Sequence, residues 1–500
     1  MGAAGPSPAL QRVPLDEVDE ADGGTGARPP SAFQRASRVA GAWSGWRARR
    51  PWRAIGVLVG SLGLAVTLAV TTPSLVTAHE RSTVLRPGAF AGAIRTSSPP
   101  AARWTVAVDD RVLPVLVGDT VVVATGPGPD DRALAGLDVV TGALRWQRPL
   151  GVDPRPAEVR CLEVEARVAC TLGPDQVDER VATRSGQAPA PDVAALVLLD
   201  PSTGEVLRRA STPGRVVSVA THDALAGDVV LAAIADGVLT IRRLDPETGA
   251  VRWVATRPSA FPAASTSRVH LTVGGGLVVA TAEGSTLVVH VDDGAPVPPP
   301  ADATGTDETA LLSDGTLVRT RYRVHAVGVD VVSELSQGDG EPWLTTRGVP
   351  VEPGVSDGSS ALVFTSSVLA GGPMGGRVRA YAPGRSDPAW HALTPAREIA
   401  VDAAGRVVLR AAGALVGLDA ATGRTVWRRT FGLGMGPVFS DGRLVVVQRT
   451  SPGDGSALVA LDLRTGAPEW VAPLPAGART VVQLGAHLYA VSDDALTALR

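Results

Sequence analysis

A ten-residue phrase, Leu-Asp-x-x-Thr-Gly-x-x-x-Trp, recurs at 137–146, 244–253, 418–427 and 461–470, and a copy running from Leu199 to Arg208 lacks the Trp. The copies that begin at Leu418 and Leu461 stand 43 residues apart, and those that begin at Leu199 and Leu244 stand 45 apart. In each phrase an apolar strand ends at Asp138, Asp200, Asp245, Asp419 or Asp462, whose short carboxylate can accept backbone N–H groups across a turn. Gly142, Gly204, Gly249, Gly423 or Gly466 then supplies the positive φ that closes the turn. Trp146, Trp253, Trp427 and Trp470 fall on the returning strand, where a flat indole fills the gap between neighbouring twisted sheets. A single small sheet cannot bury such faces by itself. A ring of them, each a four-stranded blade of a β-propeller, buries both, and the spacing is that of one blade.

Composition fits many short strands and turns. The 500 residues include 56 Gly and 40 Pro, are 45% hydrophobic and only 4% aromatic. All 47 basic residues are Arg; the chain has neither Lys nor Asn, which forbids N-glycosylation.

One stretch departs from this pattern. Ala54 to Ala78 reads 25 residues without a charge, long enough to cross a bilayer as a tilted helix. Arg35, Arg38, Arg47, Arg49, Arg50 and Arg53 precede it, with Trp43, Trp46 and Trp52 placed as an interfacial belt, so the N-terminus is expected in the cytoplasm and the C-terminal part outside. The competing reading is a cleaved signal peptide ending at Val76-Thr77-Ala78; a lead of about fifty residues and the long apolar run favour the anchor. Gly56 and Gly60 form a G-x-x-x-G that is read as ordinary membrane-helix glycine. The expected organisation is a disordered tail over 1–53, a membrane helix over 54–78, a linker over 79–101 and a propeller over 102–500. The tail carries eight Arg against five acids, and the remainder 39 against 45. A mildly acidic exported domain argues against a nucleic-acid partner. The acidic run Leu15 to Glu20 is read as solvated.

The two ends of the propeller region complement each other. Trp104 to Val108 reads as a returning strand with no turn before it, and Ala495 to Arg500 as a strand leading into a turn that never comes. Pairing them closes the ring and removes an exposed seam. The 137 residues between Trp253 and Trp390 hold worn copies near Val291-Asp292 and Trp343, and fit three blades of ordinary length or two longer ones. The ring then has nine blades or eight. Trp104, Trp146, Trp253, Trp343, Trp390, Trp427 and Trp470 all fall at or near the outer-strand position. Insertions at about Gly173 to Asp192 and Ala295 to Thr309 are candidate binding loops or tolerated surface loops.

Val459 to Trp470, reading Val-Ala-Leu-Asp-Leu-Arg-Thr-Gly-Ala-Pro-Glu-Trp, resembles the repeat of the pyrroloquinoline-quinone-type propeller family, and the resemblance extends over roughly 102–500. That family implies an all-β fold, usually of eight blades, so eight is the expected number within a range of seven to nine. It includes quinoprotein alcohol dehydrogenases, non-enzymatic outer-membrane assembly lipoproteins and membrane-anchored proteins of Gram-positive bacteria. The enzymes hold the quinone against two adjacent disulfide-bonded cysteines, bind calcium partly through an Asn and use a catalytic Asp. Here Cys161 and Cys170 are nine apart and Asn is absent, so no cofactor is expected. A two-residue turn at Glu165 and Ala166 would set Cys161 and Cys170 opposite each other at a non-hydrogen-bonded position, where a bridge can form in an exported domain. Two buried thiols are the alternative.

Other catalytic patterns lack their context. Gly354-Val355-Ser356-Asp357-Gly358 matches a nucleophile elbow, but a strand follows where that chemistry needs a helix, and the match is read as a blade turn. His79, His222, His270, His290, His325, His391 and His487 show no metal-ligand spacing, His270 and His290 coming closest in successive strands of one blade. The reading is a single-pass membrane protein whose external propeller binds or scaffolds an envelope protein or wall component, with no catalytic, cofactor or metal residues. A divergent quinoprotein oxidoreductase and an extracellular ligand sensor are the alternatives.

Overall fold

The computed structural model describes residues 93–95, 98–108, 113–126, 133–149, 159–172, 193–213, 215–222, 225–235, 237–258, 269–282, 285–298, 307–325, 328–338, 340–368, 376–451 and 455–500. The chain divides into units Met1–Ala78 and His79–Arg500. The tail and the membrane span expected over 1–78 lie outside the described residues, as do most of the linker, His79 and the insertion 173–192. Among the described residues no helix is long and apolar enough to cross a membrane.

Alternating apolar runs broken by Gly, Asp and Pro give short antiparallel hairpins, and these assemble into nine sheets. In chain order blades 1 to 8 occupy 115–149, 159–213, 215–258, 270–290, 308–347, 349–392, 396–430 and 435–473, and blade 9 occupies 480–499. The outer strand of blade 9 is Ala102–Ala107, which pairs with Ala495–Leu499 so that Thr105 faces Thr497. Their hydroxyls lie 2.9 Å apart, and Ala101 and Arg500 exchange two backbone hydrogen bonds at 2.7 and 2.9 Å.

The core is not central but divided. Each pair of neighbouring blades encloses one cluster of buried aliphatic side chains, including the pair that joins blade 9 to blade 1 through Tyr489, Leu496, Val121 and Leu137. Blades 7 and 8, for example, are joined by Val401, Leu415, Trp427, Val445 and Leu461. This is how a repeat too small for its own core becomes stable: each sheet serves two interfaces.

The ring has nine blades, one more than the eight expected. Among the described residues blade 4 has three strands, His270–Gly274, Leu277–Ala282 and Ser285–His290. Beyond them, among the described residues, the sheet continues with one bridge, Val289 to Pro296, and with Val297 N–H donating to Val288 O at 2.9 Å. The run Pro298-Pro299-Pro300 has no N–H with which to continue the ladder; the Arg257 guanidinium of blade 3 donates to Thr286 O instead. The loop expected over 295–309 is shorter than its sequence limits, since Glu308–Leu311 is the inner strand of blade 5.

Ahead of the closing strand, Ile94 is buried between blades 8 and 9 with Phe439, Leu444 and Leu488. Its N–H donates to Ser440 O and that of Arg95 to Ala486 O, both at 2.9 Å.

Candidate functional site: the latched rim

The recurring phrase forms the turn between the third and outer strands of a blade. In blade 8, Asp462 Oδ1 accepts from the backbone N–H groups of Arg464 and Thr465, at 3.1 and 2.8 Å, and from the Thr465 hydroxyl at 2.7 Å. Gly466, at φ 66°, donates its N–H to Asp462 O at 2.8 Å. Asp138, Asp200, Asp245 and Asp419 cap their own turns in the same way.

The Trp of each phrase does not serve its own turn. Trp146 Nε1 donates across to Pro201 O in blade 2 at 2.6 Å, Trp253 to Val291 O in blade 4 at 2.8 Å, and Trp427 to Leu463 O in blade 8 at 2.9 Å. Trp390 reaches Ala420 O at 2.8 Å, and Trp104 reaches Val139 O across the seam at 3.4 Å. In each case the acceptor precedes by three residues the glycine on which the indole lies: a Cβ on Gly204, Gly294, Gly423, Gly466 or Gly142 would come within 2.4 to 2.7 Å of the ring. Arginines double the latch, since Arg148 donates to Gly204 O at 3.2 Å and Arg429 to Gly466 O at 2.6 Å. Gly249, which follows the Trp-less phrase of blade 2, instead has Arg208 nearby, donating to Thr248 O at 2.7 Å.

Two of the seven tryptophans depart from this scheme. Trp470 Nε1 is buried with no hydrogen-bond partner among the described residues. Trp343 is 36% exposed; it is the extra residue of a β-bulge, because Leu335 pairs with Leu344 and Ser336 with Pro342. Leu344, 3% exposed, takes the inward place instead. The bulged residue of blade 1, Arg145, also points away from the core, and folds back onto Asp119 and Asp138 at 2.6 Å each. Arg145, helped by the Thr141 amide and hydroxyl, holds the Asp138 carboxyl well below the usual carboxylate range. The Ser202 hydroxyl lowers Asp200 and the Thr422 hydroxyl lowers Asp419.

The rim opens into a cleft of about 190 Å³ between blades 2 and 3, lined by Glu165, Arg167, Asp228, Asp245, Glu247 and Arg252. Glu165 and Ala166 form the two-residue turn between the strands Val159–Val164 and Arg167–Leu172, with φ 45° and 62°. The Glu165 carboxylate lies over Gly227, where a Cβ would meet it at 2.6 Å. Arg167 pairs with Glu247 across the cleft, Arg243 Nε with Asp228 at 2.8 Å, and Arg252 with Asp245 at 3.1 Å. Burial works against ionisation of Asp245, yet hydrogen bonds from Thr248 and the charge of Arg252 bring its carboxyl below the ordinary value. Among the described residues the carboxylates and guanidiniums of this rim are largely paired with one another.

In the same hairpin Cys161 faces Cys170, with Cα atoms 4.1 Å apart and the sulfurs bonded. Cys170 is wholly buried with Trp146, Val168 and Leu172. These residues do not fit the quinone of the resembled dehydrogenases, because the bridge spans two strands and turns into the core rather than presenting a flat ring to a ligand. Among the described residues no group of three or more His, Cys, Asp or Glu could hold a metal ion. His270 and His290 are not brought together: His270 faces Thr281 and His290 faces Leu277, at opposite ends of blade 4. Gly354 to Ser356 is not a blade turn but part of an added strand, Pro353–Ser356, beside blade 7.

The family profile described as outer membrane protein assembly factor BamB matches residues 171–390 and 411–500. No curated protein sequence matches the chain. Among solved structures it is similar to BamB from Moraxella catarrhalis, with 13% identity and a TM-score of 0.43 over 80% of this chain and 99% of that one. Saccharomyces cerevisiae Sqt1 gives 10% and 0.42 over 81% and 99%, and a europium-containing methanol dehydrogenase 12% and 0.35 over 73% and 74%.

Proposed function

The chain belongs to the outer membrane protein assembly factor BamB family of β-propellers, and from that premise we propose that it is a protein-binding scaffold of the cell envelope, held to the membrane by residues 54–78 with the propeller outside. One observation carries the reading beyond the family. Most polar atoms of the repeated phrase are engaged in building the ring: the Asp carboxylates in their own turns, and the Trp donors, Trp470 excepted, on the next blade, where Arg148 and Arg429 just after the phrase join them. The repeat therefore makes a rigid frame, and recognition falls to surfaces between and around its elements, such as the cleft between blades 2 and 3. A membrane anchor is the role given to the uncharged run Ala54 to Ala78.

Binding and redox catalysis are separated by two measurements on the full chain. Photocrosslinkers placed at Glu165 and Glu247 are expected to trap an envelope protein that then binds the purified chain saturably. Pyrroloquinoline quinone with calcium is expected to leave the melting temperature unchanged, since a ligand of the native state raises it by mass action. A saturable rise with that pair, together with oxidation of an alcohol, would establish the dehydrogenase reading in its place.

A further inference from the structure

Blade 6 lends a segment to its neighbour. Between its two-residue inner strand, Val349–Pro350, and its second strand, Val363–Val368, the chain leaves the blade, and Pro353–Ser356 runs parallel to the inner strand of blade 7, Ala396–Ala403. It forms a fifth strand there, on the axis side, with Ser356 opposite Asp402. Val355 is buried with Val401 and Ala403 between blades 7 and 8.

The turn that follows closes over Asp402. Asp357 N–H donates to Asp402 O at 3.1 Å, Asp357 Oδ2 accepts from Ala404 N–H at 2.8 Å, and the Ser360 hydroxyl donates to Asp402 Oδ2. Asp402 is 3% exposed, and its other oxygen, Oδ1, is buried with no hydrogen-bond partner among the described residues. An ionised carboxylate in that position would leave one oxygen unsolvated. Among the described residues no cation offsets the cost: the charged group that acts on Asp402 is another carboxylate, Asp357. Burial foremost pushes the Asp402 carboxyl up; the Ser360 hydrogen bond opposes it, and the Asp357 charge adds a smaller push in the same direction as burial.

We propose that residues 353–362 are a proton-operated strap, held shut on the inner edge of blade 7 while Asp402 is protonated and released when it ionises. Opening returns Asp402 to water, where a carboxyl titrates near about 3.9. The closed state therefore keeps a proton that the open state loses. Closure is favoured at low pH and weakens as pH rises from the open-state value toward the closed-state pKa, the opening constant growing by up to about tenfold per pH unit in that interval and levelling off above the closed-state pKa. Release would uncover the backbone groups of Ile399 to Asp402 that Pro353–Ser356 now covers, on the inner rim of the ring.

Hydrogen exchange of the full chain from pH 5 to 9, read by mass spectrometry, tests the strap. Rates are divided by the intrinsic rate at each pH so that hydroxide catalysis cancels, and residues 444–451 in blade 8 serve as the internal reference. Protection over 351–362 is expected to fall by up to about tenfold per unit at the lower end of the range and to level off above the closed-state pKa, while the reference stays flat. Asp402→Asn keeps an acceptor for Ser360 and is expected to hold protection high at every pH. Constant protection in the parent chain, or the same fall in Asp402→Asn, overturns the proposal. If Asp402→Asn loses protection at the reference as well, Ser360→Ala replaces it: losing a donor to the carboxylate raises the closed-state pKa and should carry the fall on to higher pH before it levels off, and an unmoved levelling point overturns the proposal.

Discussion

Replacing Gly466 with Ala puts two separable costs on one residue. Gly466 has φ 66°, where an Ala costs about 1 to 2 kcal/mol. Its new Cβ would also lie 2.6 Å from Trp427 Cδ2, forcing the indole from its seat, an overpacking cost of about 1 to 3 kcal/mol. Two other glycines isolate the parts. Gly405 has φ 71° and nothing within 4 Å of a built Cβ, so Gly405→Ala carries the backbone strain alone. Gly417 lies opposite Trp427 in the ladder, where a Cβ would come within 2.1 Å of the indole, so Gly417→Ala carries the clash without a positive φ. Ala380 occupies the equivalent place opposite Trp390, whose latch is intact, which puts the cost at Gly417 toward the low end of that range. The expected order of destabilisation in urea titrations of the full chain is Gly466→Ala, at about 2 to 5 kcal/mol in all, above both controls. Equal losses at Gly466 and Gly405 would mean that Trp427 is not held by that glycine and would refute the latch.

Four further outcomes are expected. Deleting 102–107 should destabilise blades 8, 9 and 1 together, and Trp104→Ala alone should cost about 3 kcal/mol in a denaturant titration; an unchanged midpoint for the deletion would show that the ends do not pair. Reducing Cys161–Cys170, or replacing both with Ser, should cost about 2 to 4 kcal/mol, read as a lower urea midpoint that matches in the two treatments. Because Arg145 lowers Asp138, that pair stabilises above the ordinary carboxylate pKa of about 3.9 and the contribution is lost as pH falls through the depressed value. The melting-temperature gap between the parent and Arg145→Gln should therefore narrow in acid, and a gap that widens would reverse the assignment. Protease added to intact cells should remove the propeller and spare an N-terminal tag; a protected C-terminus would reverse the proposed topology.

The ring was legible because its turns are written locally: Asp462, Thr465 and Gly466 lie within five residues, and the Asp462 carboxylate and Gly466 N–H bonds that close the turn are made within it. The seat of the indole was less so. Trp427 touches Gly466, far along the chain, and nothing within 418–427 marks the next copy as its partner. Trp343 lies on the outer strand as expected, but a bulge at Leu335 and Ser336 decides which residue faces inward, and a bulge leaves no mark in hydrophobic alternation. The added strand Pro353–Ser356 had no signal, since its partner is in another blade and its pairing is parallel. Nothing local in the sequence marks Asp402, which is covered by that same segment.

Ile94 changes where a mechanical load would fall. Tension arriving along the chain from residues before Ala93 would meet a side chain wedged between blades 8 and 9, and the backbone bonds to Ser440 and Ala486, before reaching Ala102–Ala107. The closing strand is an edge strand joined to the rest of its sheet through Ala495–Leu499 alone, the kind that a direct pull unzips one bond pair at a time. With Ile94 ahead of it, the wedge acts as strain relief acts on a cable, so that the seam of the ring stays slack while the wall between two blades takes the force.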